Sequence, residues 1–318
     1  MAEATNTLAG LVQMNDLNLA DIMVSDLLQD APVVAAMAAV PASQGGTVHK
    51  YLKDTVASGA AFRAVNTGLA NAAPQEELVT VTCKYLDGSF HRDVAIADGF
   101  NGGRAAYMER ETRKALRALF AGLEKQILQG TGADANGFDG TPQNSFVDYV
   151  GDDMIVDAGG SGGRSVWLAR TTVDDLAIVA GNDGSIKFDY DPEQLVRIIT
   201  NVSTGAGYSA LLATLGAWFG LQFGSRYSLG RIVNLDGTSD DLLTDDLISD
   251  AISKFPASRQ PNAIIMDRTS LKELQQSRTA TTPTGAPAPF PSESFGIPII
   301  VTDHLNTSES AFTTSTTT

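Results

Sequence analysis

The sequence has 318 residues, of which 43% are hydrophobic and 19% are charged, and its formal net charge is −15 at pH 7. This length and composition predict a globular chain with room for two lobes. The negative charge excludes a chain held to nucleic acid mainly by phosphate contacts. The single cysteine, Cys83, excludes an intrachain disulfide framework and fits a reducing compartment.

The N-terminal 46 residues differ from the rest of the chain in charge. They contain no Lys or Arg and carry the acids Glu3, Asp16, Asp21, Asp26 and Asp30. Their apolar residues make short helical patches without a complete amphipathic face, so we expect an arm that lies on another surface. The longest apolar run, residues 31–40, is too short to span a bilayer, and no membrane contact is expected.

Residues 47–86 predict a long β-hairpin. Residues 47–53 alternate in the manner of a strand, and residues 77–86 (ELVTVTCKYL) are dense in β-branched side chains. Residues 59–73 between them are small and polar. An isolated two-stranded ribbon is marginal in water, so this hairpin requires a partner surface in this chain or in another copy.

Residues 102–130 form the element around which the chain is organised. Their apolar positions recur at steps of three and four and make one stripe on a helix: Met108, Thr112, Leu116, Leu119, Leu123 and Ile127. Gly102 and Gly103 mark the start of the helix, and Gly130 marks its end. The helix would be about 38 Å long. One long helix in a β-rich sequence predicts a spine on which sheets are laid.

Beyond the spine the pattern is mainly β, with a helical region later. Short strands are predicted within residues 165–236, a helix over 240–255, a strand over 262–266, a helix over 268–277 and a final buried strand over 296–302. Residues 311–318 are expected to be disordered. Asp134, Asn136 and Asp139 resemble part of a calcium loop, but Phe138 breaks the pattern and favours a structural turn. No metal or cofactor site is predicted.

One motif raises an enzymatic alternative. Residues 159–163 (GGSGG) satisfy the pattern G-x-S-x-G, which would make Ser161 the nucleophile of a soluble hydrolase, with His304 later in the chain. The nucleophile elbow needs a strand before the serine and a helix after it. The residues that follow, SVWLAR, predict a strand, so a glycine-rich turn is favoured and no catalytic residue is expected.

The ordered set of elements resembles a tailed-bacteriophage major capsid protein of the Hong Kong phage fold family. The matching segments are AAFRAVNTG in the hairpin, the long helix, NGFDGT after it, WFGLQFGSRYSLGRIVNLD, and FGIPIIVTDHL near the end. They cover nearly the whole chain from about residue 45. The resemblance implies an α+β fold with an N-terminal arm (1–46), an E-loop hairpin (47–99), a P-domain (100–236) containing the spine helix 102–130 and a β-rich region, an A-domain (237–295), a strand returning to the P-domain (296–310) and a flexible tail (311–318).

The same resemblance implies a structural role and no enzymatic one. Copies would assemble as pentamers and hexamers into an icosahedral shell that encloses double-stranded DNA, in a virion whose subunits are made in the host cytoplasm. The implied partners are other copies, a portal protein, scaffolding and decoration proteins, and DNA by weak non-specific contact. An encapsulin-like bacterial nanocompartment shell is the alternative within the fold; the acidic arm favours the virus.

Two groups of residues are candidates for contacts in such a shell. The inter-subunit candidates on the E-loop are Tyr51, Lys53, Phe62, Arg63 and Asn66. The second group lies within two turns of the spine helix, whose segment 101–130 has six basic and three acidic residues: Arg110, Arg113, Lys114 and Arg117. Three interpretations of this basic group remain open, namely contact with packaged DNA, a landing surface for the acidic arm, and an ordinary solvated helix face.

Overall fold

The computed structural model describes residues 30–43, 46–56, 62–68, 75–144, 154–184, 187–201, 203–237, 241–280 and 287–312. Its α-helices are α1 (Pro32–Ala36), α2 (Val94–Asp98), α3 (Gly103–Gln129), α4 (Thr141–Asn144), α5 (Asp245–Ser253) and α6 (Arg268–Ala280). Its strands are β1 (Ala38–Pro41), β2 (Val48–Val56), β3 (Gln75–Thr82), β4 (Lys84–Asp87), β5 (Phe90–Asp93), β6 (Ile155–Asp157), β7 (Gly162–Ala169), β8 (Leu176–Ala180), β9 (Lys187–Asn201), β10 (Ala206–Phe223), β11 (Leu229–Leu235), β12 (Ala263–Met266), β13 (Glu293–Ser294), β14 (Ile297–Val301) and β15 (Glu309–Ser310).

Helix α3 is the predicted spine, and its bounds agree with the prediction to within one residue at each end. All six members of the predicted apolar stripe are buried. Gly130 ends the helix with a φ of 57°, a left-handed conformation that glycine adopts without a steric penalty. The spine packs into the main hydrophobic core through Leu116, Leu119, Leu123 and Ile127.

A six-stranded sheet is built around β10. Along one edge of β10 lie β9 and then β8, and along the other edge lie β5 and then β4, all of them antiparallel to it. Strand β1 adds to β8 in parallel, from Ala38 beside Ala177 to Pro41 beside Ala180. The described end of the N-terminal arm is therefore part of this chain's own sheet.

A seven-stranded sheet forms the second layer. Its strand order is β13-β14-β12-β7-β11-β6, and β15 also pairs with β7. Trp167 and Leu168 of β7 lie fully buried at its centre. Residue 236 is the predicted boundary between the P-domain and the A-domain. The sheet contains strands from both sides of this boundary, with β7 and β11 before it and β12 and β14 after it. Together with the six-stranded sheet and the spine, this confirms the predicted α+β class.

The prediction of short strands over residues 165–236 is wrong in one respect. β9 has 15 residues and β10 has 18, and β10 lies within the region predicted as β but was not identified as a strand of its own. Residues 185–188 and 195–200, which were predicted as separate strands, include parts of the single strand β9. A register shift between Leu211 and Ala213 of β10 accommodates the extra residues of β9, which include a proline that lacks a backbone N–H.

Four further boundaries differ from the prediction. The predicted strand 77–86 divides at Cys83 into β3 and β4, because Cys83 N–H donates to Thr47 O (2.8 Å) and the chain then passes to β10. Helix α5 begins at Asp245, after Thr244 caps it. Strand β14 is partly exposed and is followed by β15. Residue Phe312 of the predicted disordered tail is ordered against Asn234, while residues 313–318 lie outside the described chain.

No helix in the described parts of the chain is long and apolar enough to cross a membrane.

Candidate assembly surfaces

The first candidate surface is the ribbon formed by β2 and β3, called the first ribbon below. The two strands are antiparallel, from Val48 beside Thr82 to Val56 beside Gln75. Among the described strands, each pairs with the other and with no third strand. The hairpin predicted from the alternation is therefore present, and its described hydrogen bonds to the body lie at its base.

Side chains at the base hold the first ribbon to the end of β10. The Tyr51 hydroxyl donates to Phe223 O (2.9 Å) and accepts from Phe223 N–H (3.2 Å). His49 Nε2 lies 2.9 Å from Gln222 Oε1, and His49 Nδ1 accepts from Ser43 N–H (3.2 Å). Because Nδ1 acts as an acceptor, the ring proton is on Nε2, where it is donated to Gln222.

Close backbone packing completes the base. A Cβ atom on Gly220 of β10 would lie 2.9 Å from Val81 Cγ1, so the absence of a side chain at Gly220 lets Val81 approach. Farther out, a cleft of about 380 Å³ separates the ribbon from the turn that follows the spine. Residues lining the cleft include Tyr51, Val79, Val81, Phe138 and Phe223.

Lys53 is an unusual member of the ribbon because its side chain is buried. It is 5% exposed and lies opposite Glu77 on β3. Burial disfavours the ammonium ion and lowers the pKa of Lys53, and the negative charge of Glu77 offsets part of this effect. Both Tyr51 and Lys53, predicted as inter-subunit residues, thus have contacts within their own chain.

The tip and outer face of the first ribbon expose apolar side chains. Phe62 and Val65 are fully open to solvent. Arg63 Nη1 donates to Thr67 O (3.0 Å), and Asn66 has a φ of 64°, which asparagine tolerates better than most residues. Leu52 and Leu78 lie directly opposite each other and are 65% and 59% exposed. A ribbon with apolar residues outside and no core beneath them is suited to being covered by another surface.

The end of the β9–β10 hairpin, residues 197–209, is a second ribbon. β5 accompanies β10 only as far as Ala210, so within the described chain the rest of β10 toward the hairpin tip pairs with β9 alone. Ile199 on this ribbon and Leu195 at its base are 56% and 50% exposed. This ribbon was not predicted, because β10 was not identified as a separate strand.

Glu124 of the spine binds groups near both ends of the described chain, at residues 33–34 and 302–304. Its side chain is buried, and its carboxylate accepts from Val33 N–H (2.8 Å) and Val34 N–H (3.2 Å) at the start of α1. Thr302 Oγ1 donates to the same carboxylate, and His304 Nδ1 lies 3.1 Å from it. The signal for this role is present in the sequence, since an acid occupies a position within the buried face of an amphipathic helix.

The basic group on the spine lies on its solvent side. Arg113 pairs with Glu109 (2.5 Å), and Lys114 pairs with Glu111 (2.6 Å), which also binds Arg92 (2.7 Å). Burial acts to raise the pKa of Glu111, but the hydrogen bonds and positive charges of Lys114 and Arg92 outweigh it, so this pKa is lowered. Four cations line an open groove of about 410 Å³ on this side of the helix: Arg110, Arg113, Lys114 and Arg117.

The glycine-rich turn around Ser161 has a packing role. A Cβ on Gly162 would lie 2.6 Å from Glu309 O, so the turn needs glycine for β15 to pair with β7. Strand β7 follows Ser161 directly, as predicted. The Ser161 hydroxyl lies 3.4 Å from Asp236 Oδ2, whereas His304 contacts Glu124. The predicted turn at 134–139 is also present, with Asn136 N–H donating to Asp134 Oδ1 (2.9 Å).

The C-terminal segment is clamped by a residue that the sequence analysis did not single out. Arg231 Nη2 binds Glu309 Oε2 (2.6 Å), and the guanidinium carbon lies 4.6 Å from the centroid of the Trp167 ring and 5.7 Å from that of Phe312. Burial lowers the pKa of Arg231, and Glu309 offsets this in part. This clamp explains why Phe312 is ordered.

Comparison by sequence yields no relative: no protein-family model matches the chain, and no curated protein matches it.

Comparison by structure finds similar chains in bacteriophage particles. A chain of the near-atomic cryo-EM structure of bacteriophage Epsilon15 is similar with a TM-score of 0.61 and 19% identity, over 86% of this chain and 87% of that chain. A chain of the bacteriophage JBD30 capsid gives 0.48 and 12%, over 85% and 89%, and a chain of the JBD30 procapsid gives 0.45 and 11%, over 90% and 99%. Only the first score exceeds 0.5, and it establishes that this chain shares its fold with the Epsilon15 chain.

Proposed function

We propose that this chain is the major capsid subunit of a tailed bacteriophage, and that copies assemble as pentamers and hexamers into an icosahedral shell around double-stranded DNA. The observation that carries the proposal is the first ribbon. It exposes the Leu52–Leu78 pair and the tip residues Phe62 and Val65, on a fold shared with a bacteriophage Epsilon15 chain. Apolar surface of this kind is stabilised when a neighbouring subunit covers it.

The domain assignments follow from this proposal. The first ribbon and its approach (47–99) act as the E-loop, residues 100–236 as the P-domain, 237–295 as the A-domain and 296–310 as the returning strand. On the E-loop, Phe62, Arg63 and Asn66 contact the neighbour, while Tyr51 and Lys53 position the ribbon on its own subunit. The shell subunit has no catalytic role, and Ser161 serves the turn that holds β15.

The charge of the chain is compatible with a container for DNA. A net charge of −15 disfavours tight binding of a phosphate backbone to the shell, so the enclosed DNA is held by confinement and weak contacts. The portal, scaffolding and decoration proteins complete the proposed set of partners. The place of action is the virion, after synthesis in the host cytoplasm.

The test is assembly of the purified full-length chain. We expect closed particles in negative-stain electron micrographs and a sedimentation coefficient far above that of one subunit. Particles recovered from infected or expressing cells should protect DNA from nuclease. A species that remains monomeric at every concentration would overturn the proposal. Particles that enclose a protein and no nucleic acid would assign the chain to encapsulin-like shells.

A further inference from the structure

The solvent side of the spine helix is entirely basic. Across α3, all of which is described, every exposed side chain longer than a methyl group carries a positive charge: Arg110, Arg113, Lys114, Arg117 and Lys125. The acids of the same helix are turned inward, with Glu111 and Glu124 buried and Glu109 only 21% exposed. A chain with a net charge of −15 thus presents one exposed cationic strip, which we call the basic face and define as residues 110–117.

The basic face retains a surplus of positive charge after its internal ion pairs are counted. Glu111 is shared between Lys114 and Arg92, and Glu109 binds Arg113. Arg110 lies over the ring of Phe100, at 5.9 Å from its centroid, an arrangement that leaves its charge uncancelled. Four of these cations, Arg92, Arg110, Arg113 and Lys114, therefore have two carboxylates among them. An occupant with negative charge is favoured on this face.

The N-terminal arm enters the fold at one end of the basic face. Asp30, the first described residue, lines the same cleft as Arg117 and Arg268. The contacts of Val33 and Val34 with Glu124 hold this end of the arm against the spine, about two helical turns from Arg117. Residue 30 therefore lies beside the face, and residues 1–29, which precede it in the sequence, carry four acids and no Lys or Arg.

The distances allow the acids to reach the cations. The basic face is about 10 Å long from Arg117 to Arg110, at 1.5 Å per residue. Asp26 lies four residues before Asp30, an extended reach of about 13 Å, and Asp21 lies nine residues before it, a reach of about 30 Å. Tethering places these carboxylates near the face at a high effective concentration, so weak contacts suffice.

We propose that the basic face is the docking surface for the acidic N-terminal segment of the same chain, with Asp21 and Asp26 supplying the carboxylates. Each contact is an exposed ion pair, so the docked arm is held weakly and salt releases it. The spine then has two roles: its buried side packs against the sheets, and its exposed side binds the arm. This inference concerns single subunits and does not depend on shell formation.

Amide hydrogen exchange of the full-length chain, followed by mass spectrometry, tests the docking. At low salt, about 0.02 M, we expect amides of residues 16–29 to exchange several-fold more slowly than an unstructured peptide of the same sequence, and this protection should vanish at about 0.5 M salt. The triple variant Arg110→Gln, Lys114→Gln, Arg117→Gln keeps helix propensity and should lose the protection. Lys125→Gln, an exposed cation beyond the face, is the matched control and should keep it.

A charge exchange separates docking from a general effect on folding. Asp21→Lys with Asp26→Lys should lose protection, and combining them with Lys114→Glu and Arg117→Glu should restore it. Unprotected arm amides in the parent at low salt would overturn the proposal, as would protection that the triple variant leaves unchanged. If the arm is unprotected while the triple variant lowers the DNA that co-purifies with particles, the face serves nucleic acid and the proposal is wrong.

Discussion

The two ribbons of this chain are alike in geometry but differ in how they join the body. The first ribbon pairs only with itself among the described strands, and side chains of Tyr51, His49 and Val81 hold its base. The second ribbon continues β9 and β10, so a backbone ladder ties it to the six-stranded sheet. The first can change its angle to the body by exchanging a few side-chain contacts, whereas the second cannot move without breaking the sheet.

Of the changes that compare the two ribbons, shortening the first ribbon is expected to have the largest effect on shell assembly. Deletion of residues 59–73 removes no described core residue, so the subunit should fold with a thermal midpoint within about 2 °C of the parent. Closed shells should be absent, because the tip is the proposed contact with the neighbour. Circular dichroism and electron microscopy measure the two outcomes. Normal shells from this deletion would contradict the role given to the first ribbon.

The exposed apolar pairs allow the two ribbons to be compared directly. Replacing Leu52 and Leu78 by Ser should raise the subunit concentration needed for shells by about tenfold or more, the equivalent of about 1.4 kcal/mol per subunit. Leu195→Ser with Ile199→Ser, at similar exposure at the base and on the strand of the second ribbon, should change that concentration by less than about threefold. Light scattering against concentration gives both values. Equal effects would show that the two ribbons are equivalent in assembly.

The base of the first ribbon should be locally sensitive. Tyr51→Phe removes the hydroxyl that serves both the N–H and the C=O of Phe223, at a cost of about 1–3 kcal/mol. Amide exchange should accelerate in β2 and β3 and stay slow in the centre of β10. Tyr208→Phe on the second ribbon is the control, with an expected change below about 0.5 kcal/mol. Faster exchange across the whole six-stranded sheet in Tyr51→Phe would mean that the ribbon and the sheet unfold as one unit.

The smallest expected effect depends on pH and involves Lys53. Because burial lowers the pKa of Lys53 below its ordinary value of 10.5, the unfolded chain binds more protons than the folded chain between the two pKa values. The contribution of Lys53 to stability therefore improves as pH rises toward 10.5. Lys53→Met should be at least as stable as the parent at pH 7, and its advantage should shrink as pH rises. Urea denaturation at several pH values measures this.

The control for Lys53 is Lys50→Met, since Lys50 is exposed on the opposite side of the same strand. Subtracting the difference between this variant and the parent removes the effects common to any Lys→Met change on this strand. An advantage of Lys53→Met that stays constant from pH 7 to 10.5 would show that lost packing or flexibility, and not the desolvated charge, sets the effect.

The spine could be predicted from the sequence because one helix face is buried along its whole length. Met108 to Ile127 repeat at helical spacing, and glycines stand at both ends, so periodicity and punctuation agree. The first ribbon was predictable for a similar reason, since its strands are exposed on one side and alternate. The Leu52–Leu78 pair lies opposite only because of the register, which the sequence did not indicate.

Strand β10 could not be predicted because burial on both faces removes the alternation. Leu215, Ala217, Phe219 and Leu221 point to one side, and their neighbours in the sequence are mostly buried as well. Alanine, glycine and leucine dominate the strand, and these residues have no strong β propensity. The second ribbon was missed together with β10. The basic face was recognised by residue type, but its separation from the acids depends on tertiary burial of Glu111 and Glu124.

Glu124 also determines how the subunit bears mechanical load. Tension on the chain at residue 30, where the arm leaves, passes through α1 to the Glu124 carboxylate, and tension at His304 passes to the same group. Both loads therefore meet the spine at one point, between Leu123 and Lys125, about four-fifths of the way along a helix stiffened by continuous backbone hydrogen bonds. Pulling at residue 30 therefore strains this helix before it shears β1 from β8.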